Sequence, residues 1–394
     1  MKLVRIAVTM GDPAGIGPEV CLHLLNDESI RGECVPIVFG DAGILRRVAK
    51  QLGLPFNAPV ISRKDWQAGD RECCGASVLD LQLVDAAAVT PGKVDARCGE
   101  AAYQYVLASI EAGLAGDVDA VATGPLNKEA MHAAGHKYPG HTEIFAERMR
   151  APRSCMMLTS PVLTCSFVTV HVGYAEVPGL LSVERILDVI ELTAEAMRRV
   201  RGREPKLVVC GLNPHAGENG LFGAREEERF ILPAIEKARG LGINVEGPLP
   251  PDTAFLETRR KTTDAYVCMY HDQGHILMKA LAFDSAINTT LGLPVVRTSV
   301  DHGTAFDIAW HGTANASSLI AAVRLAAKLA RHAVALFAGG GVLELWSGLL
   351  HVERKSGADR ATSRVANGKT IDVGVTFGMV ARDRHADLVA VGTA

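Results

Sequence analysis

Aromatic side chains are scarce: Phe, Tyr and Trp make up 5% of the 394 residues, although 48% are hydrophobic. Charge of one sign is lacking too, since 41 Lys and Arg meet 44 Asp and Glu for a formal net charge of −3. That balance excludes the basic footprint of a nucleic-acid or anionic-membrane binder. No charged-then-apolar leader precedes the first strand-like run, LVRIAVTM, so no signal peptide is expected. The nine cysteines lack metal-type spacing; Cys73 and Cys74 are adjacent and the others scatter through apolar strands. That is the pattern of reduced thiols in a cytoplasmic protein, not of a disulfide framework. The one long apolar run, residues 332–350, holds His332, Glu344 and a glycine triplet, all costly in hydrocarbon. A soluble cytoplasmic chain with no membrane partner is expected.

At this length the chain buries a large core and divides into two domains. Strand-like runs (VRIAVTM, CVPIVFG, AVATGPL, MMLTS, SFVTVHV, KLVVCGL, AYVCMYH, AINTT) alternate with amphipathic stretches such as SVERILDVIELTAEAMRRV. The alternation predicts an α/β fold with parallel sheets and helices on both faces. From residue 332 the texture turns polar and turn-rich, so 332–394 reads as an appended segment. Its Gly-Lys-Thr at 368–370 is no phosphate loop, because Ser363 stands where that motif needs glycine.

Three histidines each stand just past a strand-like run: His171 in VTVHVGY, His215 in GLNPHAGENG and His271 in MYHDQGH. A lone histidine is more often a hydrogen-bonded core or loop residue than a ligand. The shared placement predicts convergence at the carboxyl rim of a parallel sheet, where such sheets bind ligands. Three neutral imidazoles suit a divalent cation of the zinc, cobalt or nickel type.

Other polar islands punctuate the apolar pattern. In TMGDPAGIGPE, Gly11, Gly15 and Gly17 form a strand-to-helix turn whose amides could face an anion, but the dinucleotide fingerprint is absent because Val20 replaces its last glycine. In GHTEIFAERM, Thr142 predicts an N-cap for a helix over 143–149; with His141 it is either an anion seat or a plain capped start. Lys279, Asn288, Arg297, Asp301 and His302 interrupt apolar runs, where burial costs free energy unless a ligand or acid partners the charges. Asp252, after two prolines, is a turn residue or an active-site acid in equal measure.

TMGDPAGIGPE, ATGPLNKEA, GHTEIFAE, GLNPHAGENGLFG, GPLPPDTAF, MYHDQGH and TLGLPVVRTSVDHGTAFDIA resemble, in that order, the PdxA family of 4-hydroxythreonine-4-phosphate dehydrogenases, over residues 1 to about 330. The resemblance implies an isocitrate/isopropylmalate-dehydrogenase-like fold: two α/β/α domains with a cleft between them. Residues 1–125 with 300–331 would form the first domain and 126–299 the second, which carries most metal and substrate residues. It implies a homodimer using NAD (NADP is not distinguished) and a divalent metal, zinc, magnesium or cobalt. By motif position, His171, His215 and His271 would be the metal ligands, His271 coming from the partner subunit. His141, Thr142, Lys279, Asn288 and Arg297 would bind substrate, and Lys279 and Asp252 would carry protons. Gly11, Gly15, Asp301, His302 and Gly303 would line the cofactor. The expected activity is oxidation with decarboxylation of 4-phosphohydroxy-L-threonine, in pyridoxal phosphate biosynthesis. AGENGLFG, YHDQGHI and FDIAW are as similar to paralogues that oxidise D-threonate or D-erythronate 4-phosphate. A non-redox metal-dependent lyase or hydrolase is the remote alternative. The family pattern is broken after His171, where Val-Gly-Tyr replaces the usual residues, and 332–394 has no counterpart.

Overall fold

The computed structural model describes residues 3–69, 75–282 and 285–331, with only backbone for a helix end and four short strands beyond. Cys73, Cys74 and the side chains of 332–394, including the apolar run and Gly368-Lys369-Thr370, lie outside the described residues. Two compact units emerge, Met1–Ala330 and Arg331–Ala394. The second contains two antiparallel strand pairs, Leu343–Glu344 with His351–Val352 and Ala361–Arg364 with Thr370–Val373.

The first unit is built on one twelve-stranded sheet. Its strands are β1 (Arg5–Thr9), β2 (Val35–Gly40), β3 (Val60–Ser62), β4 (Ser77–Asp80), β5 (Ala120–Thr123), β6 (Cys155–Thr159), β7 (Thr164–Phe167), β8 (Leu207–Cys210), β9 (Val245–Leu249), β10 (Ala265–Cys268), β11 (Ile287–Leu291) and β12 (Val296–Val300). They lie in the order β3-β4-β2-β1-β5-β12-β11-β6-β7-β10-β8-β9. The α/β class expected from the sequence is what the chain adopts. Four strands escape the hydrophobic pattern for local reasons: β3 is short, β4 has only Val78 and Leu79 between Ser77 and Asp80, β9 is interrupted by Gly247-Pro248, and β12 by Arg297.

Pairing is not parallel throughout, as the alternation predicted. β12–β11, β11–β6 and β6–β7 are antiparallel. The links from β6 to β7 and from β11 to β12 are too short for a crossover. Ser160 and Leu163 close the β6–β7 hairpin, the Ser160 amide donating to the Leu163 carbonyl at 2.8 Å. Gly292, at φ +82°, turns the chain from β11 into β12. As a result β7, β10, β8 and β9 run parallel to one another and opposite to β1, β5 and β12.

One apolar cluster gathers Ile6, Val8, Phe39, Tyr105 and Trp310, and it includes Met131, Ile144, Phe145 and Met149. A second, with Met157, Ile190, Val209, Ile235 and Val267, covers one face of β7–β10–β8, and a third, with Phe167, Cys210, Tyr266 and Met278, the other. Each fully buried aliphatic side chain there contributes about 1.5–3 kcal/mol. The helix Val183–Arg201 is capped by Ser182, whose hydroxyl accepts from the Arg185 amide, and ends at Gly202 with φ +67°.

Candidate active site

β7, β10 and β8 are neighbours, and His171, His271 and His215 each stand just past one of their carboxyl ends. His171 and His271 meet within the chain, their ring centroids 5.9 Å apart. A cavity of about 240 Å³ opens beside them, lined also by Val170, Val172, Tyr174, Tyr270 and Asp272. The His271 Nδ1–H donates to Asp272 Oδ1 at 2.6 Å, which leaves Nε2 as a lone-pair donor. The Tyr174 hydroxyl donates to the same carboxylate, and this bond and His271 hold Asp272 below the usual range. His171 Nδ1 lies 3.5 Å from Glu143 Oε1, a contact that holds the Glu143 carboxyl below its ordinary value.

His215 is not part of that pair. It is exposed, 3.4 Å from Glu218 and edge-on to Phe222. Five successive residues, His215 to Asn219, have φ between +43° and +81°. A left-handed turn of this kind costs about 1–2 kcal/mol per non-glycine residue. Buried Glu227 holds the turn, accepting from the Leu212 amide at 2.9 Å and the Asn213 amide at 2.8 Å. A Cβ on Gly217 would sit 2.6 Å from Glu227 Oε2, so glycine is required there. Asp252 lies in the short helix Pro251–Ala254 packed on the same turn, exposed and without a hydrogen bond or ion pair to the described residues. Among the described residues no three His, Cys, Asp or Glu form a cluster able to hold a metal. The donor set fits a borderline cation only in part: two adjacent imidazoles, with a third on a separate loop.

A second group surrounds Arg297, which is 2% exposed. Its Nη1 donates to Thr290 Oγ1 at 3.0 Å and Nη2 to Thr123 Oγ1 at 2.7 Å, and its guanidinium faces the Phe145 ring at 5.5 Å. Burial pulls its pKa down to about 9, with only Glu143 opposing. Thr142 does not cap its helix, as the sequence predicted. The helix is His141–Arg148, Gly140 occupies the N-cap, and Thr142 Oγ1 lies 3.5 Å from Thr290 Oγ1 instead. His141 sits well below the usual imidazole range, first from burial and then from the Arg297 and Lys128 charges. His141 Nε2, Glu143 Oε2, Asn288 Oδ1, Arg297 Nε and His302 Nε2 are all buried atoms with no hydrogen-bond partner among the described residues. Buried polar atoms of this kind are met in folded proteins by water, a ligand or local strain.

A third group joins the two halves of the sheet. Lys279, on the helix His271–Ala282, pairs with Asp301 just past β12. The N-terminal glycine turn presents fewer free amides than expected. Asp12 donates to Pro125, Ile16 to Thr304, Gly15 to the Asp12 carbonyl and Ala14 to the Asp12 carboxylate. Gly11 (φ +76°) and Gly15 are needed for close packing, since a Cβ would lie 2.2 Å from the Pro125 carbonyl oxygen and 2.9 Å from Thr304. Asp301, His302 and Gly303 lie on the adjoining loop, where the His302 Nδ1–H meets the Gly303 carbonyl at 3.0 Å. Glu143, Thr123, Thr290, Asp272 and Gln273 were given no role from the sequence. Glu143 and Gln273 sit inside GHTEIF and HDQGH, so their motifs were a signal, whereas Thr123 and Thr290 carried none.

Residues 32–326 match the protein family described as pyridoxal phosphate biosynthetic protein PdxA. The chain belongs to the PdxA family. This PdxA chain is 44% identical over 324 residues to the 4-hydroxythreonine-4-phosphate dehydrogenase of Desulforapulum autotrophicum, covering 82% of this chain and 94% of the relative. It is 43% identical over 328 residues to the D-threonate 4-phosphate dehydrogenase of Cupriavidus necator, covering 82% and 97%. Among solved structures it is similar to the 4-hydroxythreonine-4-phosphate dehydrogenase of Klebsiella pneumoniae, with a TM-score of 0.72 and 42% identity over 83% of this chain and 99% of that one. No helix among the described residues of this PdxA protein is long and apolar enough to cross a membrane.

Proposed function

We propose that this PdxA-family oxidoreductase uses NAD to oxidise the secondary alcohol of a phosphorylated four-carbon acid, whose carboxylate then leaves as CO₂. The observation that carries the reading is Arg297, a buried guanidinium held by threonines and short of an anionic partner. The first substrate we assign is 4-phosphohydroxy-L-threonine, giving 3-amino-2-oxopropyl phosphate for pyridoxal phosphate biosynthesis. The second is D-threonate or D-erythronate 4-phosphate, because relatives of near-equal identity carry both names.

Arg297, Thr142 and neutral His141 would hold the phosphate or carboxylate, with the Asn288 side chain orienting the hydroxyl groups. Lys279, in contact with Asp301, would take and return the proton at the alcohol oxygen, with exposed Asp252 as the second proton carrier. Bound at the imidazoles, a zinc, cobalt or magnesium ion would acidify the alcohol, with NAD as hydride acceptor. His171 and His271 are neighbours within one copy, so His215 would take part when two copies meet. Exposed Val172, Tyr174, Leu221 and Ile276 around these loops support such a dimer. NAD would lie along Gly11, Gly15, Asp301, His302 and Gly303. Reduced, buried thiols support a cytoplasmic setting.

The test is NADH formation measured side by side with 4-phosphohydroxy-L-threonine, D-threonate 4-phosphate and D-erythronate 4-phosphate. Turnover of the first supports the main assignment, and preference for the other two supports the second. No NADH from any of them overturns both.

A further inference from the structure

We infer that Gln273 is a positioning residue that holds the histidine-bearing loops in register at the rim of the sheet. The parallel ladder between β10 and β8 ends at Val267 opposite Val209. Beyond it the strands part, and the Met269 amide and the Gly211 carbonyl are left facing the gap. Gln273 fills it. Its Oε1 accepts from the Met269 amide at 2.7 Å, and its Nε2 donates to the Gly211 carbonyl at 2.7 Å. The side chain is 9% exposed, so water does not replace it cheaply.

These two bonds belong to a longer run. On one side the Met269 carbonyl accepts from the Thr169 hydroxyl at 2.8 Å. On the other the Gly211 amide donates to the Leu249 carbonyl at 2.9 Å. Thr169, Met269, Gly211 and Leu249 are the exits of β7, β10, β8 and β9. His171, His271, His215 and Asp252 follow them by two to four residues. Gln273 bridges two strand exits through both the acceptor and the donor of one side chain, and it stands in the first turn of the helix that His271 opens. Only a primary amide of this length supplies one acceptor and one donor at the two required points. Glutamate keeps the bond from Met269 but sets a carboxylate against the Gly211 carbonyl, and methionine makes neither bond.

The inference rests on the reading of the three histidines as cation ligands, so its test has one arm that needs no cation. In the full-length protein, Gln273→Met is expected to raise amide hydrogen exchange at 211–220 and 269–275 at least tenfold. The helix 183–201 should keep the parent's protection. In the same variant, affinity for cobalt(II), read by absorbance, is expected to fall at least tenfold, and kcat more than KM. Ile235→Ala, a truncation in the second apolar cluster, serves as the control for general destabilisation, lowering the melting temperature without either change. Parent-like exchange at both loops in Gln273→Met, or equal loosening in Ile235→Ala, overturns the inference. A parent that binds no cobalt(II) overturns the cation reading, while hydrogen exchange still decides the part played by Gln273. Should Gln273→Met not fold, Gln273→Glu is measured, and unchanged exchange at 211–220 overturns the inference equally.

Discussion

Lys279 and Asp301 form an ion pair that ties the helix opened by His271 to the loop leaving β12. The proposed proton carrier is thus held by the loop proposed to line NAD. Lys279→Met is expected to lower kcat by about 10²–10⁴-fold, the usual contribution of a positioned acid or base. Asp301→Asn should act on kcat and on the KM for NAD together, because it loosens both the lysine and the loop. Steady-state NADH formation checks this, and a Lys279→Met enzyme with parental kcat would remove the residue from the chemistry.

Arg297 is a buried charge whose direct hydrogen-bond partners are neutral hydroxyls. Arg297→Met should cost about 10- to 200-fold in kcat/KM, the range of hydrogen bonds to a charged group. Arg297→Lys should not restore it, since an ammonium lacks the planar fork that reaches Thr123, Thr290 and a ligand together. The melting temperature of Arg297→Met should equal or exceed the parent's, because a desolvated charge has been removed. Inorganic phosphate should raise the parent's melting temperature and leave the variant's unmoved. Equal phosphate shifts in the two proteins would mean that the anion sits elsewhere.

Asp12 is fully buried, and burial raises its pKa to about 7, with its Oδ1 accepting from the Ala14 amide at 2.8 Å. The folded pKa lies above the unfolded one, so the folded state holds the proton that the unfolded state loses. The stability this group contributes is complete below pH 3.8 and is lost as pH rises through about 7. Asp12→Asn should therefore unfold at higher urea than the parent at pH 8, and the gap should close towards pH 4. Taking the difference between the two proteins cancels every other titrating group. A gap independent of pH would show that Asp12 is ionised in the fold.

Dialysis against a strong chelator should abolish NADH formation, and zinc or cobalt should restore it. His171→Ala and His271→Ala should lose bound metal and activity together, since their rings are neighbours at 5.9 Å. His215→Ala tests the third ligand: metal retained at the parental level would exclude it. Full activity in the exhaustively dialysed protein would defeat the cation reading as a whole.

Much of this was written in local sequence. Valine- and isoleucine-rich runs between amphipathic stretches determine an α/β sheet, because each element buries its own apolar face whatever its neighbours. The three histidines after strand ends, and the motifs of the PdxA family, were legible for the same reason: each is a short contiguous string. What the tertiary structure alone decided is who meets whom. Short links between β6 and β7 and between β11 and β12 reverse the direction of half the sheet, which brings Lys279 to Asp301. Packing against Thr290 across the β11–β12 hairpin and against Thr123, distant in sequence, makes Arg297 a buried cation whose hydrogen-bond partners are neutral hydroxyls. Periodicity reports which side chains turn inward; only the folded chain, by closing long loops against their entropy, determines which of them stand within hydrogen-bond reach.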